Sequence, residues 1–496
     1  MTARTRVMLA SLALLAGCGA RPPAAPIAPA KLQAAAPAPP DGEAFRATRP
    51  KALPGAEVTY PIPKLWSLDT GLSVYFVRRP SRVVSLALVV RHGASSVPAG
   101  KSGLAGLTSR MLTEGTRRKP SAALAEAVES LGTTLEAGAG RDESSVGLTV
   151  LPADLSRALE LLAEVVTTPA FAPAELDRVR AEWLDGLRAE RQNPQRLAAL
   201  AAVRKLYGPT FGAPVNGSLT DIERLTVADL RAFHQRAYTP DNAALVVVGD
   251  VDETLLESDA RRLFAPFVGK SAVPAPAPVQ ADNPTKTRVL LVDRPGAVQS
   301  AIAAVQTFPK RSEPGHEARE LMGRALGGLF TSRLNTNLRE KNAFTYGAVA
   351  RPVATRHFGT LLVSTSVRTD VTSRALDEIR KELRLARDPS LGAPFTADEL
   401  GRARSDLTFA LGATLEHPSR IADVVGSVFV EGLAPDYYAR YASLVAAIGA
   451  PQVAAEARAL QPEQLLIVVV GDKGKVQGEL EKAGYVVEPA PAALLD

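Results

Sequence analysis

The sequence is poor in the two residue types that bind metals and form covalent links most often. It has a single cysteine, Cys18, among 496 residues, so an internal disulfide is impossible. No two of its histidines lie within ten residues of each other, and none forms an H-x-x-x-H pair. A zinc site built on paired helical histidines is therefore excluded. The five are His92, His234, His316, His357 and His417.

Other recognisable catalytic motifs are also missing. The chain has neither a G-x-S-x-G nucleophile elbow nor a G-x-x-x-x-G-K-[ST] phosphate loop. A Ser/His/Asp arrangement formed by residues distant in sequence remains open. The formal net charge of +6 is a small excess for so long a chain, and it gives no reason to propose a nucleic-acid partner.

The N-terminal apolar run is too short to cross a membrane. Arg4 and Arg6 precede the mostly apolar segment Val7–Ala16, whereas a spanning helix needs about 20 residues. A basic start, a short apolar stretch and small residues are typical of a secretory signal. Leu15-Ala16-Gly17-Cys18 resembles the bacterial lipobox, which implies acylation of Cys18, and Gly19 implies sorting to the outer membrane. The alternative is a plain signal peptide with a chance cysteine.

These features predict a bacterial envelope protein that is lipid-anchored at the outer membrane and faces the periplasm. Two Pro/Ala-rich stretches divide the rest of the chain, because such segments form extended linkers rather than packed cores. The predicted divisions are a lipoprotein signal at 1–18, a tether at 19–55, a domain at 56–270, a linker at 271–285, a second domain at 286–486 and a tail at 487–496.

The two predicted domains look like copies of one unit. Phe171-Ala-Pro-Ala-Glu175-Leu176 recurs 224 residues later as Phe395-Thr-Ala-Asp-Glu399-Leu400. Each half also ends with a continuous apolar run and Gly-Asp, at 245–250 and 467–472. Such runs are typical of central buried strands. A repeat of this length indicates a duplicated domain rather than a solenoid.

Hydrophobic periodicity in the first half predicts strands followed by runs of helices. This order favours an α+β fold, with a mixed β-sheet and helices packed on one face in each of two homologous domains. We expect Ser121 and Thr226 to be helix N-caps. The predicted strands are 73–78, 83–91, 133–137, 144–151 and 245–249, and the helices are 102–113, one from 121, 152–166, 173–191 and one from Thr226 to about Arg236.

Four segments in register carry a family resemblance over about residues 58–480. They are Leu68-Asp69-Thr70-Gly71-Leu72, Met111-Leu-Thr-Glu-Gly115-Thr116, the Y-x-P-x-N-x-x-L-x-V-V-G-D-like run 238–250, and Arg339-Glu340-Lys341 followed by Tyr346. Together they resemble the insulinase/pitrilysin family of inverzincin metallopeptidases, of the two-domain, processing-peptidase-like type. The resemblance implies the same α+β fold.

Members of that family bind zinc through H-x-x-E-H on a helix, with a distal glutamate about 75 residues further on. The aligned positions here are Gly106, Ser109 and Arg110. Glycine has no side chain to bind a metal, and the arginine cation would repel one. Glu182 matches the distal ligand and Glu175 the supporting acid; without the other ligands, Glu182 is expected in an ion pair or on a solvated helix face. The residues at these motif positions therefore predict that this chain binds no zinc.

The second half keeps a pair that the resemblance assigns to substrate. In the family, an arginine and a tyrosine seven residues apart hydrogen-bond the substrate main chain, and Arg339 and Tyr346 match them. Gly327 and Gly328 resemble the glycine-rich segment of the family's non-catalytic subunits. The alternative interpretation is that Arg339 ends a helix and Tyr346 packs on a strand.

The sequence thus supports three functional hypotheses. The first is a zinc-free subunit that pairs with a zinc-bearing paralogue and binds unfolded or extended peptide for proteolysis at the envelope. The second is a stand-alone peptide-binding or scaffold protein of the envelope without catalysis. The third is an active peptidase with an unrecognised metal site.

Overall fold

The computed structural model describes residues 59–274, 278–392 and 394–496. The predicted signal and tether, including Cys18, lie outside the described residues, and the predictions made for them stand as predictions. Among the helices in the described ranges, none combines the length and the apolar character needed to cross a membrane.

The first half forms a mixed six-stranded sheet with the order β1-β2-β6-β3-β5-β4. Every pair of neighbours is antiparallel except β2 and β6, which run parallel. Strand β6 is buried along its whole length, as its continuous apolar sequence predicts for a central strand. The strands are β1 (Lys64–Ser67), β2 (Ser73–Arg78), β3 (Val84–Val90), β4 (Glu136–Ala139), β5 (Ser144–Val150) and β6 (Ala243–Gly249).

The five predicted helices of this half occur in the predicted order with small differences at their ends, and three further helices at 194–211, 219–224 and 253–263 were not predicted. Thr226 is the N-cap of α7 as predicted, in a capping box with Asp229. Ser121 was expected to be an N-cap but is the first helical residue after Pro120, and its hydroxyl donates to Glu114 instead. The helices are α1 (Leu104–Leu112), α2 (Ser121–Glu129), α3 (Leu155–Thr167), α4 (Pro173–Gln192), α5 (Pro194–Phe211), α6 (Leu219–Arg224), α7 (Val227–Ala237) and α8 (Glu253–Leu263).

The second half repeats the arrangement with the order β12-β7-β11-β8-β10-β9. Its last five strands correspond to β2, β6, β3, β5 and β4, and only the outermost strand differs. In the first half that strand is an antiparallel hairpin partner, and here it is a parallel one. The strands are β7 (Arg288–Asp293), β8 (Gln299–Phe308), β9 (Thr345–Ala354), β10 (Gly359–Arg368), β11 (Leu466–Gly471) and β12 (Val486–Pro489).

Two π-helical turns interrupt the helical layer of the second half, at Arg324–Gly328 and Thr336–Lys341. They lie beside β9, where the family's substrate pair is expected. The helices are α9 (His316–Gly323), α10 (Arg333–Asn335), α11 (Thr372–Arg387), α12 (Ala397–Ala413), α13 (Pro418–Glu431), α14 (Tyr437–Ala446), α15 (Ala450–Ala457) and α16 (Lys473–Lys482).

The two halves exchange one helix each. Helix α5 of the first half packs through Ala201, Ala202 and Leu206 on the outer face of the second sheet. Helix α13 of the second half packs through Val425 and Phe429 on the outer face of the first sheet. The two helices are equivalent, because the 224-residue repeat carries position 194, the start of α5, to 418, the start of α13.

This exchange extends the predicted architecture without changing its class. The α+β fold of two related halves is confirmed, and each sheet has its own helices on one face. Its other face, which the sequence left unassigned, carries the helix of the other half. Each half therefore completes its core with residues from the opposite half, and apolar burial links the two.

The segment 487–496, predicted to be a tail, is packed onto the fold. Its first three residues belong to β12. Further on, Arg191 of α4 donates to the main-chain oxygen of Asp496 at 2.6 Å. The Asp496 carboxylate accepts from the Leu219 N–H at the start of α6 at 2.8 Å. The end of the second half thus contacts two helices of the first.

Candidate functional site

The position of the first family zinc ligand is closed by an aromatic ring. Gly106 lies on α1 and faces α4, where a β-carbon added to it would be 3.2 Å from two atoms of the Trp183 indole. The indole N–H donates to the main-chain oxygen of Asn216 at 2.8 Å, which fixes the ring. The space that an imidazole would need is therefore occupied by Trp183.

The position of the family's general base holds a buried hydroxyl. The Ser109 hydroxyl donates to the Ala105 carbonyl at 3.0 Å and lies 2.8 Å from the Tyr238 hydroxyl. Burial raises the pKa of Tyr238 to about 12, so this phenol stays protonated. Ser109 is fully buried and therefore cannot activate a water molecule at the protein surface.

The position of the second ligand carries a cation that is already paired. Arg110 donates to the hydroxyl of Thr113 and to the carboxylate of Glu114, one turn along the chain. Glu114 is 6% exposed and also accepts from Ser121 at 3.1 Å and from Arg178. Burial raises the pKa of the Glu114 carboxyl, but Arg110 and Arg178 outweigh it, so the pKa lies below its usual value.

The two acids expected near the metal both bind Arg178. Its guanidinium donates to Glu175 at 3.0 Å and to Glu182 at 2.8 Å, in addition to Glu114. Glu182 is therefore in an ion pair, as the sequence suggested. Its hydrogen-bonded partner is Arg178, one turn earlier on the same helix. These hydrogen bonds, of which the one donated to Glu175 has the largest effect, raise the pKa of Arg178 and keep it charged.

We call Arg110, Glu114, Glu175, Arg178 and Glu182 the ion-pair cluster. A guanidinium lies among carboxylates in the region where the family resemblance predicts the zinc motif, so the side chains at this position do not fit a metal. In the described ranges, no three His, Cys, Asp or Glu side chains are grouped so that they could hold a metal ion. Sequence reasoning missed Trp183, Glu114 and Arg178 as members of this region. The four-residue spacings 110/114 and 178/182 are the signal that could have identified the ion pairs.

Two grooves lie beside β4, and the first of them borders the ion-pair cluster. A cavity of about 480 Å³ lies between α1, α2 and β4, and Arg110, Glu114, Val128 and Leu135 are among its lining residues. A second, of about 390 Å³, lies between the face of β3, β4 and β5 and the start of α13. Within the part of the chain that the structure describes, β4 pairs only with β5, and its other edge lies between these grooves.

Arg339 lies in the second π-helical turn, stacked on an aromatic ring. Its guanidinium carbon is 3.6 Å from the centroid of Phe330, a side chain that is 66% exposed. Its Nη1 is buried and has no hydrogen-bond partner in the described part of the chain. A buried donor without an acceptor costs about 1–3 kcal/mol. Arg339 therefore holds a donor with unused bonding capacity.

Tyr346 is the second residue of β9, and its side chain is 91% exposed. It therefore does not pack against the sheet as the alternative interpretation held. Across the described residues, no hydrogen bond, ion pair or ring contact links Arg339 or Tyr346 to the ion-pair cluster. Their role toward a substrate remains a prediction.

Gly327 and Gly328 differ in their surroundings. A β-carbon at Gly327 would be 2.2 Å from the main-chain nitrogen of Ala350 on β9, so glycine is needed for the π-helical turn to approach this strand. Gly327 is buried and cannot present its surface to a ligand. Gly327 therefore has a packing role in this structure, and its role toward a ligand stays a prediction. Gly328 is exposed. A β-carbon there would come within 3 Å of the Arg324 side chain, which is flexible and can move.

Among the described residues, no histidine hydrogen-bonds both a hydroxyl and a carboxylate as in a Ser/His/Asp triad. His92 comes nearest: its Nδ1 is 2.8 Å from the Ser96 hydroxyl and its Nε2 is 3.1 Å from that of Ser271. Both ring nitrogens are thus engaged by hydroxyls and leave no site for an orienting carboxylate. Burial lowers the pKa of His92 to about 4, so the ring is neutral at pH 7.

The fold and the altered motif define a two-domain peptidase-like protein, and comparisons with known proteins identify its family. The family model described as "Insulinase (Peptidase family M16)" matches residues 74–212, and "Peptidase M16 inactive domain" matches residues 224–407. The chain belongs to the insulinase family of peptidases. The family prediction is therefore confirmed.

Relatives of this chain in the same family carry peptidase names. An uncharacterized zinc protease of Mycobacterium leprae is 25% identical over 282 residues, which are 56% of this chain and 63% of that protein. The chain thus spans less than two thirds of that relative. The mitochondrial-processing peptidase subunit beta of Blastocladiella emersonii is 22% identical over 390 residues, which are 76% of this chain and 81% of that protein.

Solved structures agree with the fold. The crystal structure of a peptidase M16 inactive domain from Pseudomonas fluorescens has a TM-score of 0.75 and 26% identity, and covers 86% of this chain and all of that chain. A protease from Helicobacter pylori has a TM-score of 0.76 at 20% identity, and covers 83% of this chain and all of that chain. The second likeness concerns the fold alone.

Proposed function

We propose that this protein is the zinc-free subunit of an envelope peptidase, which pairs with a zinc-bearing paralogue and positions extended peptide for cleavage. The observation that carries this proposal is the ion-pair cluster. Trp183 occupies the space of the first zinc ligand. Arg178 supplies the positive charge that zinc would bring to the glutamates. A chain built this way contributes to hydrolysis only alongside a second chain that activates water.

The open edge of β4 is our proposed site for peptide. An edge strand offers unpaired N–H and C=O groups, which an extended peptide can use to add a strand. No side chain in the described ranges hydrogen-bonds the main chain of β4. The edge of β9 is different, because the Asn335 side chain accepts from the Ala348 N–H at 2.9 Å and donates to the Ala348 carbonyl at 3.0 Å. Peptide is therefore expected on β4, with side chains in the adjoining grooves.

Arg339 and Tyr346 are our candidates for contact with the scissile region in the partner's site. Arg339 stacks on the exposed ring of Phe330 and holds a buried donor without an acceptor, and reorientation of its side chain would bring that donor to a peptide carbonyl. The exposed Tyr346 hydroxyl is a second donor, suited to a developing oxyanion. Both act by positioning and charge stabilisation, and the attacking water belongs to the zinc-bearing subunit.

The envelope location and the partner rest on sequence features and relatives. Cys18, in the lipobox-like segment, supports a lipid anchor in the outer membrane facing the periplasm. The relative named as a subunit of a processing peptidase supports pairing with another chain. In this proposal zinc belongs to the partner and not to this chain.

Reconstitution with the paralogue tests the proposal. The full chain is co-expressed with a family member that has an intact H-x-x-E-H motif, and hydrolysis of an unfolded polypeptide is measured. Arg339→Ala is expected to lower kcat about 10²-fold, because it removes the donor that positions the substrate main chain for attack. Arg351→Ala is the matched control, because Arg351 is exposed on the same strand as Tyr346. A pulldown without any H-x-x-E-H protein, or full activity of the Arg339→Ala pair, would refute pairing for catalysis.

The open β4 edge also supports the second hypothesis, a stand-alone peptide-binding or scaffold protein. The edge and its grooves are present in a single chain. A monomer or homodimer that binds unfolded peptide without cleaving it would favour this function. Metal analysis of the same sample tests the third hypothesis, because stoichiometric zinc would require a metal site that the described residues do not form.

A further inference from the structure

A separate pocket lies on the helical side of the first half. Its volume is about 270 Å³, and its walls are α7, the segment after α3, and residues 266–268 after α8. Arg117 and Arg231 line it, together with His234, Phe171 and Tyr238. None of these residues belongs to the ion-pair cluster or to the pair in the second half.

The charge around this pocket is positive. No aspartate or glutamate of the described residues lines it. Arg231 donates to the Ala170 carbonyl at 3.3 Å, and neither it nor Arg117 forms an ion pair within the described ranges. The buried carboxylate of Glu164, on the adjacent helix α3, accepts from Thr116 and from Lys119 at 2.6 Å, and lies 3.2 Å from Arg118. Two guanidinium groups thus border a cavity with no carboxylate to neutralise them.

The aromatic part of the pocket wall is uncharged at pH 7, because burial lowers the pKa of His234 to about 4. His234 Nε2 lies 2.8 Å from the Val166 carbonyl, which can only accept, so the proton is on Nε2. Its ring stacks on Tyr238 at 4.9 Å and meets Phe171 edge-on at 5.5 Å. Phe171 has φ of +46°, a strained conformation for a large side chain. Such strain persists only where the surroundings impose it, often at ligand sites.

We propose that this pocket binds a phosphate group. A guanidinium offers paired N–H donors that match phosphate oxygens, and two of them with no competing carboxylate favour an anion. A volume of about 270 Å³ is below the range typical of drug-sized ligands, which fits a phosphate or a small head group. The phosphate belongs either to a free ion or to the head group of a lipid, and both share this chemistry.

Nuclear magnetic resonance of histidine provides the test, because the chain has only five histidines. Purified full-length protein labelled at histidine is titrated with inorganic phosphate, and separately with the glycerol phosphodiester that represents a lipid head group. A saturable shift of the His234 signal is expected, while that of the exposed His417 stays constant. Saturation by the phosphodiester alone assigns the lipid source, and saturation by inorganic phosphate alone assigns the free ion.

The double variant Arg117→Gln/Arg231→Gln is expected to weaken binding at least tenfold. Arg224→Gln is the matched control, because Arg224 is exposed in the same half and does not line the pocket; it should bind like the wild type. Arg117 and Arg231 are both exposed, and thermal unfolding of the double variant checks that the fold is retained. A His234 signal that responds to neither compound, or a double variant that binds as tightly as Arg224→Gln, would overturn the proposal.

Discussion

The indole of Trp183 on α4 lies against Gly106 on α1, 3.2 Å from where a β-carbon of residue 106 would be. This contact means that the metal motif is altered in space as well as in sequence. In the position of one histidine there is now an aromatic ring, held by its hydrogen bond to Asn216.

Restoring the motif residues alone should therefore not restore zinc. In Gly106→His/Ser109→Glu/Arg110→His, the ring of Trp183 blocks the first imidazole and the Arg178 cation remains beside the site. We expect far less than one zinc per chain after dialysis, measured by elemental analysis. Adding Trp183→Ala and Arg178→Ala should raise the ratio. One zinc per chain in the triple variant would contradict the steric argument.

Loss of Arg178 should destabilise the protein. Arg178→Gln removes a partner from Glu114, whose carboxylate is buried and keeps only Arg110 as its cation. Because Arg178 is partly exposed, we expect about 1–2 kcal/mol rather than the larger cost of breaking a fully buried pair. Arg188→Gln is the control on the same helix; it breaks an exposed pair with Asp185 and should cost less than about 0.5 kcal/mol. Equal urea midpoints for the two variants would contradict this prediction.

Glu114 should make stability depend on pH in the acidic range. Burial raises the pKa of its carboxyl, but Arg110 and Arg178 outweigh this and hold the folded-state pKa below the unfolded value. The stabilisation is therefore complete above the unfolded pKa of about 4.3, and is lost as the pH falls through the lower folded-state pKa. Glu114→Gln should flatten the fall in unfolding free energy between about pH 5 and pH 2. An unchanged slope would show that Glu114 does not contribute.

The two neighbouring glycines of the first π-helical turn should respond differently to alanine. Gly327→Ala places a β-carbon 2.2 Å from a main-chain nitrogen of β9, so the turn or the strand must move. We expect a loss of about 1–3 kcal/mol, as for other overpacked sites. Gly328→Ala meets the flexible Arg324 side chain and should be nearly neutral. Urea unfolding of both variants checks the difference, and a tolerated Gly327→Ala would contradict the packing role.

The exchanged helices should make both halves unfold together. Leu206 of α5 is fully buried against the second sheet, so Leu206→Ala should cost about 2–5 kcal/mol. Both tryptophans, Trp66 and Trp183, lie in the first half. Their fluorescence should nevertheless report the same urea midpoint as far-ultraviolet circular dichroism, before and after the substitution. Two separate transitions would show that the halves are independent domains.

Local sequence was sufficient to predict the class of fold and ten of the strands and helices of the first half. Apolar runs such as β6 specify buried strands, and Thr226 with Asp229 specifies a helix start, because these signals depend on neighbours along the chain. The same local information showed which residues stand at the metal-motif positions. It failed at Ser121, where a tertiary contact with Glu114 replaces the cap.

The sequence by itself determined that Gly106, Ser109 and Arg110 cannot bind zinc together, because the ability of a side chain to bind a metal depends on its own chemistry. Only the tertiary structure decided what occupies that place. Trp183 and Arg178 are 77 and 68 residues away from positions 106 and 110, and they reach the site because α4 packs on α1. The exchange of α5 and α13 was likewise decided in three dimensions, because an apolar helix face does not encode which sheet will cover it.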